Sequence, residues 1–204
     1  MRVLSIAAAV LLSEFAAQVG AAQSMQPSDL GPGKMLVASR DLPDPNFAKT
    51  VVLLIQYDDE GVVGLILNRR SKVPISRVLE DMESAKNRSD PVYAGGPVGR
   101  TDVLALLRSR GKTEDAKRVV GDICLVSGKD LLQKTLASPA QTDIVHVYLG
   151  YSGWTMEQLE NEVDLGAWYI FRGDSDAVFD PNPDSLWTRL IRETELRIAS
   201  VGHR

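Results

Sequence analysis

Residues Asp44–Arg70, DPNFAKTVVLLIQYDDEGVVGLILNRR, decide the reading of this chain. Two apolar runs, Thr50 to Ile55 and Val62 to Leu67, flank the acidic segment Asp58-Asp59-Glu60-Gly61. The first run is β-branched and continuous, the pattern of a strand buried on both faces. The spacing of the two runs predicts an antiparallel hairpin. Asp44 and Asn46 are turn formers whose side chains can bond nearby backbone N–H groups. Asn68-Arg69-Arg70 closes the far end.

Outward from the hairpin, Lys34 to Ala38 reads as a first strand, and Pro43 and Pro45 forbid a regular element between the two. Downstream, Ile75, Val78, Leu79 and Met82 have helical spacing. Pro91 to Ala94 and Val103 to Leu107 read as strands. Arg108 to Arg118 carries seven charged side chains and reads as a solvated loop. Val119 to Val126 and Ile144 to Leu149 return to strand. Ser127 to Asp130 and Thr155 to Gln158 have the form of capping boxes, each opening a helix. Between the second of these and the preceding strand, Gly150-Tyr151-Ser152-Gly153-Trp154 reads as a tight turn. Ala167 to Phe171 is a strand. Trp187, Leu190, Ile191, Thr194 and Ile198 mark an amphipathic terminal helix. About seven strands and four helices imply an α+β fold, a mixed sheet with helices packed against it.

The 204 residues fit one domain. An apolar content of 44% and a charged content of 25% are those of a globular protein. The net charge of -4 and the lack of a basic block argue against nucleic acid as a partner. The one cysteine, Cys124, sits in a buried-strand pattern and reads as a small core residue. At the N-terminus Arg2, the apolar run Val3 to Leu12 and the small residues before Gln23 predict a signal peptide over 1–22. A flexible lead-in over 23–32, one domain over 33–199 and a tail over 200–204 follow. The expected location is therefore exported, periplasmic or secreted, with a cytoplasmic location as the alternative. No other segment is apolar enough to span a membrane.

No phosphate-binding loop and no nucleophile elbow is present. Ser152 reads as a turn serine. Only His146 lies inside the domain, which excludes multi-histidine metal sites. Asp58, Asp59 and Glu60 lack calcium-loop spacing and read as a solvated turn. No cofactor, metal or catalytic set is expected. If strand ends converge, Asp44, Asn46, Asn68, Arg69, Tyr151, Trp154 and Glu160 could line a cleft with an aromatic wall and a guanidinium for an anion. Otherwise they cap turns and anchor loops. Gly95 and Gly96 complete the set of binding candidates.

An ordered set of segments resembles the bacterial AlgH/YqgE family from about Gly33 to Leu190. It comprises Gly33 to Ala38, Asp44-Pro45-Asn46-Phe47, Thr50 to Leu54 and Asp59-Glu60-Gly61. It continues with Gly64 to Arg69, Val92 to Val98, Gly150 to Trp154, Gln158-Leu159-Glu160, Glu162 and Ala167-Trp168. Arg70 departs from it, standing where the family commonly has proline. The resemblance implies a partly barrel-like sheet surrounded by helices, and no established activity. A transcriptional-regulator label travels with the family. The residues favour a non-enzymatic binding or regulatory module acting through a protein partner or small ligand. The alternatives are a hydrolase-like enzyme using a carboxylate and Arg69, and the regulator of the family label.

Overall fold

The structure is a computed structural model and describes residues 26–111, 115–137 and 145–201. The expected signal peptide, 1–22, and residues 202–204 of the expected tail lie outside the described residues. The elements in order are β1 (Lys34–Ala38), β2 (Val51–Asp58), β3 (Gly61–Ile66), β4 (Arg70–Pro74), α1 (Ile75–Val78), β5 (Pro91–Ala94), β6 (Val98–Arg108) and β7 (Lys117–Val120). They continue with β8 (Ile123–Ser127), α2 (Lys129–Ala137), β9 (Val145–Trp154), α3 (Met156–Asp164), β10 (Trp168–Arg172), α4 (Ser175–Val178) and α5 (Leu186–Val201).

The ten strands form one sheet, with the order β10-β1-β2-β3-β9-β6-β8-β7 and β4 and β5 branching from β9. All pairings are antiparallel except β5 with β9, so the sheet is mixed. It curls into a half-barrel: Gly33, just before β1, lies directly under Val120 of β7. The expected hairpin is β2–β3, in register from Val52↔Ile66 to Asp58↔Gly61, with one irregularity between Leu54 and Gln56. The hub, however, is β9, which pairs with β3, β5 and β6.

The hub position explains one correction. Gly150 to Trp154 is no turn: β9 runs through it, pairing Tyr151 with Val98 and Trp154 with Val62. The glycines there serve a close crossing of backbones rather than a reversal. Three other differences have local causes. The run from Val119 to Val126 is a hairpin, because Gly121-Asp122 turns the chain between β7 and β8. The helix expected through Met82 stops at Val78. It stops there because Leu79 leaves the helical backbone, at φ -112° and ψ 49°. The N–H groups of Ile75 and Ser76, which have no partner inside the helix, bond the carbonyls of Asp90 and Arg88 and tie its first turn to the lead-in of β5. The lead-in before β1 forms a 3-10 turn, Pro27–Asp29, and Leu30 packs on the core.

Two hydrophobic clusters fill the molecule. Leu106 and Tyr148 belong to one, and their strand neighbours Ala105, Leu107 and Val147 to the other. Successive side chains on a strand point to opposite faces, so the sheet is covered on both sides. That is why its strands read as continuous apolar runs. Cys124 is buried in β8, as the sequence reading expects. The terminal helix α5 docks through Trp187, whose indole N–H donates to the Ala38 carbonyl at 2.8 Å. Its inward face ends at Thr194, leaving Ile198 52% exposed.

One polar group inside this packing sets a pH dependence. The His146 ring stacks on Tyr93, with centroids 4.6 Å apart, and lies 5.1 Å from Phe179. Its Nδ1 is buried without a hydrogen-bond partner. Burial pushes its pKa down to about 4, against smaller opposing effects of the Val178 backbone and Asp90. The folded state therefore holds fewer protons than the unfolded chain between about pH 4 and the ordinary histidine value of 6.5. This contribution is complete above pH 6.5 and is lost as pH falls towards 4. At pH 5 the protein is expected to be about 2 kcal/mol less stable than at pH 7 from this residue alone. Urea melts at the two pH values check it, and in His146→Phe that part of the difference should vanish.

Candidate functional site

The loop from Ser39 to Thr50 carries most of the suggestive residues, and its shape follows from local bonds. The Asp44 carboxylate accepts the Asn46 N–H at 2.7 Å, the Asx turn expected of these residue types. The Phe47 N–H bonds the Asp44 carbonyl, and the Thr50 N–H and hydroxyl both bond the Phe47 carbonyl. Lys49 then takes a left-handed conformation, φ 57°, to enter β2. Asn68, beyond β3, locks this corner: its amide oxygen accepts the Val51 N–H and its amide nitrogen donates to the Lys49 carbonyl, each at 2.9 Å. Asn68→Ala leaves two backbone groups without their partners and is expected to cost about 2 kcal/mol in a denaturant melt.

Arg69 lies beside this corner, half-buried. Burial lowers the guanidinium pKa, while the nearby Asp44 charge opposes the shift. Among the described residues the guanidinium makes no hydrogen bond and no ion pair within 4 Å. Asp44, Asn46, Asn68 and Arg69 therefore do come together. Trp154 joins them from beneath. Its ring crosses Gly64, where a methyl would lie 3.4 Å from it, and stacks on Phe47 with centroids 5.1 Å apart. Trp168 meets both rings edge-on, at 5.6 Å from Phe47 and 6.2 Å from Trp154.

The remaining candidates lie elsewhere. Glu160, on α3, accepts the Tyr57 hydroxyl at 2.7 Å. Burial and this bond push the Tyr57 pKa up to about 12. Tyr57 is six residues along β2 from Val51, a rise of about 20 Å, so Glu160 stands at the other end of the hairpin from Asn68. The acidic turn Asp58-Asp59-Glu60 is exposed at that same end. The carboxylates considered for a hydrolase thus do not converge on Arg69. Gly95 and Gly96 pass against the backbone of Gly150 and Tyr151, with no room for a side chain at either. The Gly95 carbonyl accepts the Ile66 N–H and the Ser152 hydroxyl, so Ser152 is a buried strand residue holding two strands together. The Tyr151 ring covers Gly99 and Gly153 rather than Phe47. One cleft for all nine residues does not form. Among the described residues no group of three or more His, Cys, Asp or Glu side chains is placed to hold a metal ion. No helix among them is long and apolar enough to cross a membrane.

A cavity of about 500 Å³ opens on the outer side of the same loop. Phe47, Ala167 and Ile191 line its base, and the loop residues Arg40 to Asp44 form one wall. The C-terminal end of α3 with the turn after it, and the third turn of α5, form the others, through Glu162, Leu165 and Glu195. Arg40 pairs with Glu195 and lies 5.5 Å from the Trp187 ring centroid. Glu162 accepts the Trp168 indole N–H at 2.8 Å. Only Asp44 of the sequence-derived candidates reaches this cavity. Arg40, Leu165 and Glu195 carried no motif, and Glu162 stood out only as part of the family pattern.

The structure is thus a half-barrel of mixed strands with an Asn-locked loop lying over Phe47, Trp154 and Trp168. The match to the family model described as AlgH-like, DUF179, spans residues 35–199, and the chain belongs to that family. It is 35% identical over 179 residues to a UPF0301 protein of Streptomyces avermitilis, covering 83% of this chain and 90% of that one. It is 33% identical over 165 residues to the UPF0301 protein CT0663 of Chlorobaculum tepidum, covering 80% and 86%. Among solved structures, the solution structure of the AlgH protein from Pseudomonas aeruginosa matches with a TM-score of 0.65 and 25% identity, over 84% of this chain and 93% of that one. The crystal structure of protein DIP2367 from Corynebacterium diphtheriae matches in fold, with a TM-score of 0.68 at 22% identity over 81% and 87%.

Proposed function

We propose that this chain is a non-enzymatic module that binds a small ligand in the cavity over Phe47. The observation that supports it is the cavity itself: about 500 Å³, within the range of small-molecule sites, with an apolar base and a few polar groups around it. The dispersal of the carboxylates away from Arg69 favours binding over hydrolysis. The loop that shapes the cavity is held from behind by Asn68, so the Asn-Arg corner acts as support for the site. A protein-observed NMR screen of a chemically diverse fragment library tests the reading. Hits should shift Phe47, Ala167 and Ile191 together. A library that leaves these three residues unmoved at millimolar concentration would sink it. Export of the mature protein is proposed alongside, supported by Arg2, the apolar run Val3–Leu12 and the small residues before Gln23. N-terminal sequencing of the cellular protein should find a start after Ala21 or Ala22, and a start at Met1 would contradict it.

A further inference from the structure

We infer that the cavity over Phe47 selects a small organic cation: a primary or secondary ammonium carried on an apolar or aromatic body. The inference rests on the binding role proposed above and adds the charge and shape of the ligand. Four carboxylates, Asp41, Asp44, Glu162 and Glu195, line the cavity against one guanidinium, Arg40. Arg40 is already engaged, paired with Glu195 and set over the Trp187 ring. Two further cations, Arg69 beside Asp44 and Arg192 beside Glu195, act on those carboxylates through space and do not line the cavity.

Two of the carboxylates are fixed by bonds that use only one oxygen. Asp44 Oδ1 accepts the Asn46 N–H, and Glu162 Oε2 accepts the Trp168 indole N–H. The second oxygen of each makes no hydrogen bond among the described residues, so each can accept from an ammonium without reorganising. Between them the base is apolar, from Phe47, Ala167 and Ile191. Leu165 stands at the mouth with 77% of its surface exposed, an apolar side chain that a bound hydrocarbon body would cover. Charge complementarity thus excludes anions and favours a cation, while the base rewards an apolar body.

The test compares three probes with one body and three head groups: 4-phenylbutylamine, 4-phenylbutanol and 4-phenylbutyrate. Each is titrated into the full chain by NMR and calorimetry at low ionic strength. The amine is expected to bind about tenfold more tightly than the alcohol, a difference of about 1.4 kcal/mol. The acid should bind more weakly than both. Added salt should bring the amine towards the alcohol, because the carboxylates face solvent. Asp44→Asn and Glu162→Gln keep the acceptor oxygens that hold Asn46 and Trp168 but remove the charges. Each should weaken the amine severalfold more than the alcohol, and so narrow the preference for the amine. Equal binding of amine and alcohol at Phe47, Ala167 and Ile191 overturns the charge selection while the binding role stands. Shifts located away from these residues, or silence from all three probes, also overturn it. The binding role falls as well only if the wider fragment library is silent at the same residues.

Discussion

Gly96→Ala is expected to destabilise this protein by about 4 kcal/mol or more, enough to unfold a domain of ordinary stability. A methyl group at Gly96 would land on the peptide unit between Tyr151 and Ser152. These are backbone atoms of β9, not the end of a flexible side chain, so no rotamer change relieves the overlap. Nor can β9 move aside locally, because it is bonded to β3 on one edge and β6 on the other. The preceding residue is held in the same way: the Gly95 N–H donates to the Leu149 carbonyl, and its own carbonyl takes bonds from Ile66 and Ser152. The strain therefore spreads to three strands at once. Gly31→Ala is the matched control. Nothing lies within 4 Å of a methyl built there, so its change should stay within about 0.5 kcal/mol. Guanidinium melts of the two variants make the comparison, and wild-type stability in Gly96→Ala would refute the close-crossing account.

Trp168→Ala should cost about 3–5 kcal/mol, the range for deleting a large aromatic from a packed core. Trp168 is fully buried, at 0% exposure, and meets Phe47 and Trp154 edge-on. Its removal opens a void beneath the loop that shapes the cavity, and Phe47 loses one of its two ring partners. Trp168→Phe keeps most of the volume but loses the indole N–H that holds Glu162. It should cost about half as much, since a hydrogen bond to a charged acceptor near solvent contributes about 1–2 kcal/mol. The two variants separate packing from polar anchoring. A melt of Trp168→Ala within 1 kcal/mol of wild type would show that the aromatic trio contributes little to the fold.

Local chemistry was legible. Thr155 and Gln158 form a full capping box, with each side chain bonded to the other's backbone N–H, as the sequence spacing predicts. The Asx turn at Asp44 and the β2–β3 hairpin arise from residues close in sequence. Less legible were elements whose end points depend on distant partners. The spacing of Ile75, Val78, Leu79 and Met82 is helical, yet the backbone leaves the helix at Leu79 after one turn, which is itself tied to Asp90 and Arg88. Gly150 and Gly153 read as punctuation because glycine usually bends a chain. Here they lie in a strand crowded by another backbone or covered by the Tyr151 ring.

The candidate residues divide along the same line. Asp44, Asn46, Asn68 and Arg69 meet because the ends of a hairpin must meet. Glu160 entered the set as a carboxylate that could line a cleft, and its partner, Tyr57, is 103 residues away in sequence. The cavity has no contiguous signature at all: its walls come from 39–47, 162–169 and 191–195. By itself, then, the sequence determined the central hairpin, the Asx turn at Asp44, the capping box at Thr155 and the family. Those depend on neighbours within a few residues and on a pattern preserved in order. Only the tertiary structure decided that β9 is the hub, that the carboxylates disperse, and that a charged cavity opens over Phe47. Those depend on which faces meet once both sides of the sheet are buried, and packing rather than spacing sets that.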